Sequence, residues 1–189
     1  MPRYGKLIGA SLGPGDPELI TRRAWAVSAV RCTLAVPGEK GRGRLVRTGH
    51  RRACGIAVPD DAEQLVFPMT RDAEILGKAW ARAALRTVEL LAEGRDLVFL
   101  VEGDASTFST FGHLARVVRE LAPEVVVETI AGVSSFAAAA ASTGSTLAEE
   151  DETLAVIPAA YGVGVIDHLL DEFDTVVPAQ GQASARRSH

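Results

Sequence analysis

The chain has 189 residues and a formal net charge of −4, long for one simple domain and short for two, since domains usually run to about 100–150 residues. Hydrophobic residues make up 47% and charged residues 23%, enough apolar material for a core, which excludes disorder for most of the chain. Cys32 and Cys54 show neither CxxC spacing nor a neighbouring histidine cluster, so neither a metal site nor a disulfide framework is expected, and a reduced, cytoplasmic compartment fits.

Residues 1–52 hold 11 Lys or Arg against 3 Asp or Glu, whereas the remainder hold 9 against 21. A basic first quarter on an acidic chain points to an anionic ligand rather than to nucleic acid, whose binders usually carry an overall basic domain. The opening MPRYGKLIG lacks an apolar core of secretion-signal length, so no export is expected. The longest uncharged run, Thr129–Ala148, has about the length of a membrane helix. Gly132, Gly144 and several Ser or Thr interrupt it, so it reads as strand end, loop and buried helix, with no membrane partner.

In chain order, Tyr4–Ala10 reads as a first strand, followed by a loop with Gly13, Pro14 and Gly15 that can bring bare backbone close to a ligand. A helix is expected next, with Asp16 as N-cap, Pro17 at the first position, and Leu19, Ile20, Trp25, Ala26 and Val30 on its buried face. Cys32–Val36 reads as a second strand, and the Gly- and Arg-rich stretch Pro37–Arg52 as an exposed loop. Leu65–Phe67 gives a brief strand ended by Pro68, and Thr70 or Asp72 caps a long helix whose apolar positions run from Ile75 to Leu91. Gly94 stops that helix.

A short buried strand, Val98–Val101, then runs into a turn at Gly103 and a helix from about Ser106 to Leu121. Pro123 marks a linker. Beyond it come strand Val125–Ile130, helix Ser134–Thr143, strand Leu154–Ile157 and a helix near Val163–Phe173. The expected organisation is α/β throughout: an N-terminal domain over residues 1–122, a partial C-terminal domain over 123–178, and a disordered tail over 179–189.

In an open α/β sheet, ligands bind beyond the carboxyl ends of the strands, so Glu102, Asp104, Thr107 and Ser109 are expected to face a pocket. Glu102 and Asp104 are an acid/base pair or, equally, helix-capping carboxylates. The loop at residues 11–16 lacks the Lys-Ser/Thr of a P-loop, which excludes an NTPase. Asp16 fits a cap better than a ligand contact. His113 reads as a surface or packing residue. Lys40, Arg42, Arg44, Arg47, Arg51 and Arg52 either neutralise a polycarboxylate, which arginine forks suit, or form a solvated loop.

GASLGPGDPELIT at residues 9–21, EGD at 102–104 and IAGVSSFAAAAA at 130–141, in that order and spacing, resemble the tetrapyrrole methylases, the class III S-adenosylmethionine-dependent methyltransferases. FPMTRD at 67–72, STF at 109–111 and DETLAVIPAAY at 151–161 are similar to those members that methylate C-20 of precorrin-2 or of cobalt-factor II. The resemblance covers roughly residues 4–177. It implies two α/β domains with S-adenosylmethionine in the cleft between them, a homodimer, and methyl transfer in corrin-ring (cobalamin) synthesis.

By matching position, the resemblance assigns Pro14, Gly103, Asp104, Thr107, Ser134 and Ser135 to the cofactor. A substrate with eight carboxylates would meet Arg42, Arg44 and Arg47. It assigns no general base, so the catalytic residues stay unknown. Two departures stand out: Ala105 where the family usually has proline, and PAQGQASARRSH after Val177 where a Met-Lys strand is usual. The second departure makes a shortened second domain the expectation. It keeps open an alternative, a truncated relative that folds or binds tetrapyrrole without turnover.

Overall fold

The computed structural model describes residues 4–29, 33–38, 62–68, 70, 72–158 and 163–179. They divide into two compact units, residues 1–134 and 135–189. In the first unit, strands β1 (Leu7–Ser11), β2 (Thr33–Gly38), β3 (Glu63–Val66), β4 (Leu97–Val101) and β5 (Val127–Ile130) form one parallel sheet in the order β3-β2-β4-β1-β5. Helices α1 (Arg22–Ala29), α2 (Ala73–Ala92) and α3 (Thr110–Leu121) connect the strands.

Both faces of this sheet are covered, and the side-chain alternation along β4 shows why its sequence is apolar without a break. Leu97, Phe99 and Val101 pack with Ala83, Ala84, Leu90 and Leu91 of α2 and with Phe111, Leu114, Ala115 and Val118 of α3. Val98 and Leu100 point the other way, into a cluster with Ile8, Ala10, Leu12, Ala24 and Ile130. The rings of Phe99 and Phe111 lie 6.0 Å apart, and Trp80 bridges Phe67 at 4.5 Å and His113 at 5.1 Å. His113 is exposed and rests its ring against Trp80, in keeping with its reading as a surface or packing residue.

Helix starts follow their side-chain caps. Asp72 accepts from the N–H groups of Glu74 and Ile75 at 2.9 and 3.1 Å to begin α2, and Ser109 accepts from Phe111 at 3.0 Å to begin α3. The Arg86 guanidinium grips Glu63 with two bonds of 3.0 and 3.1 Å, fixing α2 against β3.

In the second unit, helix α4 (Ser135–Thr143) and helix α5 (Val163–Leu170) accompany a parallel pair, β6 (Leu154–Pro158) and β7 (Thr175–Ala179). Asp174 and Thr153 clasp the start of that pair: the carboxylate accepts from the Thr153 N–H and hydroxyl, each at 2.8 Å. These bonds hold the Asp174 carboxyl below its ordinary pKa.

The structure corrects several boundaries. The break falls at Ser134/Ser135 rather than at Pro123, because the strand after Pro123 finds its partner in the first sheet, pairing Leu7 with Val127 and Ala10 with Ile130. Ala179, assigned to the tail by the sequence reading, instead closes β7 and is buried. Residues 180–189 lie outside the described residues.

Asp16 does cap, accepting from Glu18 at 2.9 Å, but what it caps is a 3-10 turn, Pro17–Leu19. The α-helix begins afresh at Arg22, where Thr21 Oγ1 accepts from the Ala24 N–H at 3.2 Å. That restart turns Ala24 into the core and leaves Trp25 44% exposed. Among the described residues no helix is long and apolar enough to cross a membrane.

Candidate functional site

Strand order places the site. From β1 the chain leaves through residues 12–21 into α1, whose Ala24 packs on one face of the sheet; from neighbouring β4 it leaves through residues 102–109 into α3, which packs on the other. Where connections depart to opposite faces, a crevice opens beyond the carboxyl ends of the strands. Gly13, Pro14, Gly103, Asp104 and Thr107 all lie in these two connections.

Backbone bonds fasten the two loops together. The Leu12 N–H donates to the Val101 carbonyl at 2.7 Å, and Gly13 and Gly103 exchange N–H···O bonds of 3.1 and 2.7 Å. Gly103 has φ +73°, and a Cβ there would meet nothing within 4 Å. Its α-carbon therefore faces open space, where a ligand can approach the chain closely.

A third loop, after β5, is drawn in by Asp104. This buried carboxylate accepts from the Ser106 N–H at 2.8 Å, the Ser106 hydroxyl and the Thr107 hydroxyl at 3.4 Å through Oδ1, and from the Gly132 N–H at 2.6 Å through Oδ2. Burial disfavours the charged form, but the Ser106 hydroxyl, the N–H groups of Gly132 and Ser106 and the Thr107 hydroxyl outweigh it. The carboxyl is held below its ordinary pKa. Glu102 is exposed, so the two carboxylates have different surroundings. Asp104 has the bonding of a structural clasp rather than of half an acid/base pair.

Of the sequence-assigned cofactor residues, the structure brings Gly103, Asp104 and Thr107 together beside the Gly13–Pro14 turn. Ser134 ends the first unit after the Gly132 turn, and Ser135 opens α4 in the second. Arg42, Arg44 and Arg47 lie outside the described residues. Ser11 and Gly132 were missed as site residues. Ser11 gives no local signal: it is one hydroxyl at the end of an apolar strand, and its partners are 94 and 119 residues away. The signal for Gly132 was its place in the IAGVSS motif. A Cβ on it would stand 2.3 Å from Ser11 Cβ and 2.8 Å from the Gly103 oxygen.

Two cavities lie to the sides of this crevice. One, of about 480 Å³, borders Ser106, Phe108, Arg116, Arg119 and Thr129; the other, of about 540 Å³, runs between β3 and α2 beside Leu65, Ile75 and Arg82. Neither contains the Gly13–Gly103 bridge, and among the described residues no group of His, Cys, Asp and Glu could hold a metal ion.

The solved structure of the methyltransferase CobJ shares this fold, with a TM-score of 0.57 and 23% identity over 89% of this chain and 62% of its own. The family model of the tetrapyrrole (corrin/porphyrin) methylases matches residues 6–184. The chain belongs to that family. It is 30% identical to a Methanocaldococcus jannaschii protein named "Probable cobalt-precorrin-2 C(20)-methyltransferase", over 91% of this chain and 70% of that one. It is 34% identical to the cobalt-precorrin-2 C(20)-methyltransferase of Salmonella typhimurium, over 92% and 71%.

Proposed function

We propose that this chain transfers a methyl group from S-adenosylmethionine to C-20 of precorrin-2, or of its cobalt-containing counterpart cobalt-factor II, in cobalamin synthesis. The observation that carries the reading is the clasp of three loops at the carboxyl ends of β4, β1 and β5. It presents open glycine backbone at Gly103 in a chain whose relatives, named for C-20 methylation, match more than nine-tenths of its length. The reading includes a cytoplasmic homodimer.

The residues present fit the cofactor. S-adenosylmethionine supplies a methyl group on a positively charged sulfonium. Gly103 leaves open space beside its α-carbon, the Gly13–Pro14 turn is bonded alongside it, and the ionised Asp104 leaves a negative charge in the cradle, the sign that favours a cation. Thr107, Ser134 and Ser135 provide hydroxyls for the polar end of the ligand.

The meso carbon of a precorrin is already enamine-like, so the protein's task is to align carbon, methyl and sulfur and to exclude water. Such positioning is worth up to about 7–11 kcal/mol. Arg42, Arg44 and Arg47 are assigned to the substrate's carboxylates. Incubation with methyl-labelled S-adenosylmethionine and precorrin-2, followed by mass analysis of the product, tests the reading. Label at C-20 is expected. Absence of both transfer and cofactor binding would overturn it, and binding without transfer would favour the non-catalytic alternative.

A further inference from the structure

Four polar or charged residues are buried among the described ones: Ser11, Ser28, Thr87 and Asp104. Ser28 and Thr87 donate to carbonyl oxygens of their own helices, Ala24 and Ala83, each at 2.8 Å. Those bonds satisfy a hydroxyl locally and connect nothing else. Ser11 differs. Fully buried at the end of β1, its Oγ donates to the Ile130 carbonyl at 2.6 Å and accepts from the Ala105 N–H at 2.8 Å.

Ile130 is the last residue of β5, and Ala105 follows Asp104 in the loop after β4. These two strands flank β1 and do not pair with each other. Their loops are joined by hydrogen bonds through the Ser11 hydroxyl and between Asp104 and Gly132. The site has no slack there, since Gly132 fits only because it lacks a Cβ that would strike Ser11.

We propose that Ser11 is a positioning residue for methyl transfer: its hydroxyl sets the spacing of the three loops and, through the Ala105 N–H, the place of the Gly103–Thr107 cradle. The proposal rests on the methyl-transfer reading above. Ser11 touches neither cofactor nor reacting atoms in it and acts only through the loops. A buried hydroxyl with one donor and one acceptor partner across two other elements is costly to disturb, because its loss strands the buried Ala105 N–H and takes a side-chain partner from the Ile130 carbonyl.

The experiment uses the full chain with S-adenosylhomocysteine as the probe, its affinity measured by calorimetry, and amide hydrogen exchange measured without ligand. Ser11→Ala is compared with Ser28→Ala, which deletes a buried hydroxyl of local reach. Ala105→Pro removes the N–H donor while leaving Ser11 intact, and serves alone if Ser11→Ala does not fold.

Ser11→Ala is expected to weaken binding about tenfold and to speed exchange across residues 103–107 and at Gly132, with Ser28→Ala leaving both unchanged. The effects of Ser11→Ala and Ala105→Pro are expected to be non-additive. Wild-type affinity in Ser11→Ala, or affinity losses in both serine variants that follow their melting temperatures alone, would overturn the proposal. If the wild-type chain binds no probe, the methyl-transfer reading fails instead. The exchange comparison then still decides whether Ser11 holds the loops, and unchanged protection of 103–107 and Gly132 in Ser11→Ala would overturn that.

Discussion

Asp104 carries its charge at a buried loop junction because four donors converge on it. Its folded pKa is depressed, so the stability it contributes is complete above the unfolded carboxyl value of about 3.9 and is lost as pH falls through the lower, native value. Thermal melts between roughly pH 6 and pH 2 are expected to show wild type losing this increment below about pH 4. Asp104→Asn, lower in stability at neutral pH by about 1–3 kcal/mol, should fall less steeply. Parallel curves for the two proteins would contradict the assignment. Gly103→Ala is a different case: with φ +73° and open space ahead of the Cβ, it should cost only about 1–2 kcal/mol of stability. The added methyl enters the proposed cofactor space, so calorimetry should show a larger loss of S-adenosylhomocysteine affinity than the melt implies.

At the scale of elements, α3 shows how local and tertiary information divide. The sequence reading ends it at Leu121, ahead of Pro123, as the structure does, but starts it near Ser106, four residues early. Phe108 sits at φ +47°, a left-handed conformation that a helix cannot include, so the chain first makes a turn around Asp104 and then restarts at the Ser109 cap. The first buried residue after that cap, Phe111, is 1% exposed and packs against Phe99. Phe111→Ala is expected to destabilise the first unit by about 3–5 kcal/mol in denaturant titration. Truncating exposed Leu85 should change it by less than about 0.5 kcal/mol.

For the whole molecule, the excess of positive charge in residues 1–52 against the acidic remainder makes attraction of a polycarboxylate dependent on ionic strength. The KM for precorrin-2 should therefore rise with added salt while that for S-adenosylmethionine changes little. Arg42→Ala, Arg44→Ala and Arg47→Ala combined should raise the substrate KM and flatten its salt dependence. A salt-independent KM would remove the arginine loop from substrate binding. The proposed homodimer predicts about twice the chain mass of 19.9 kDa by light scattering on a size-exclusion column.

The strand–helix alternation, the buried character of β4, a helix cap at Thr70 or Asp72 and the glycine-rich loops are legible in the sequence, because each depends on residues within one or two turns of each other. The family is legible for a related reason: motifs kept in order along the chain do not require knowing which strands are neighbours. Which loops meet was decided only by the tertiary structure. The strand read as Val125–Ile130 looks locally like the start of a new unit, yet as β5 it completes the first sheet beside β1, and that pairing brings Gly132 to Asp104 and Ile130 to Ser11. Hydrogen bonds that join residues 28, 94 and 119 positions apart leave no periodic trace, because their geometry comes from parallel strand order.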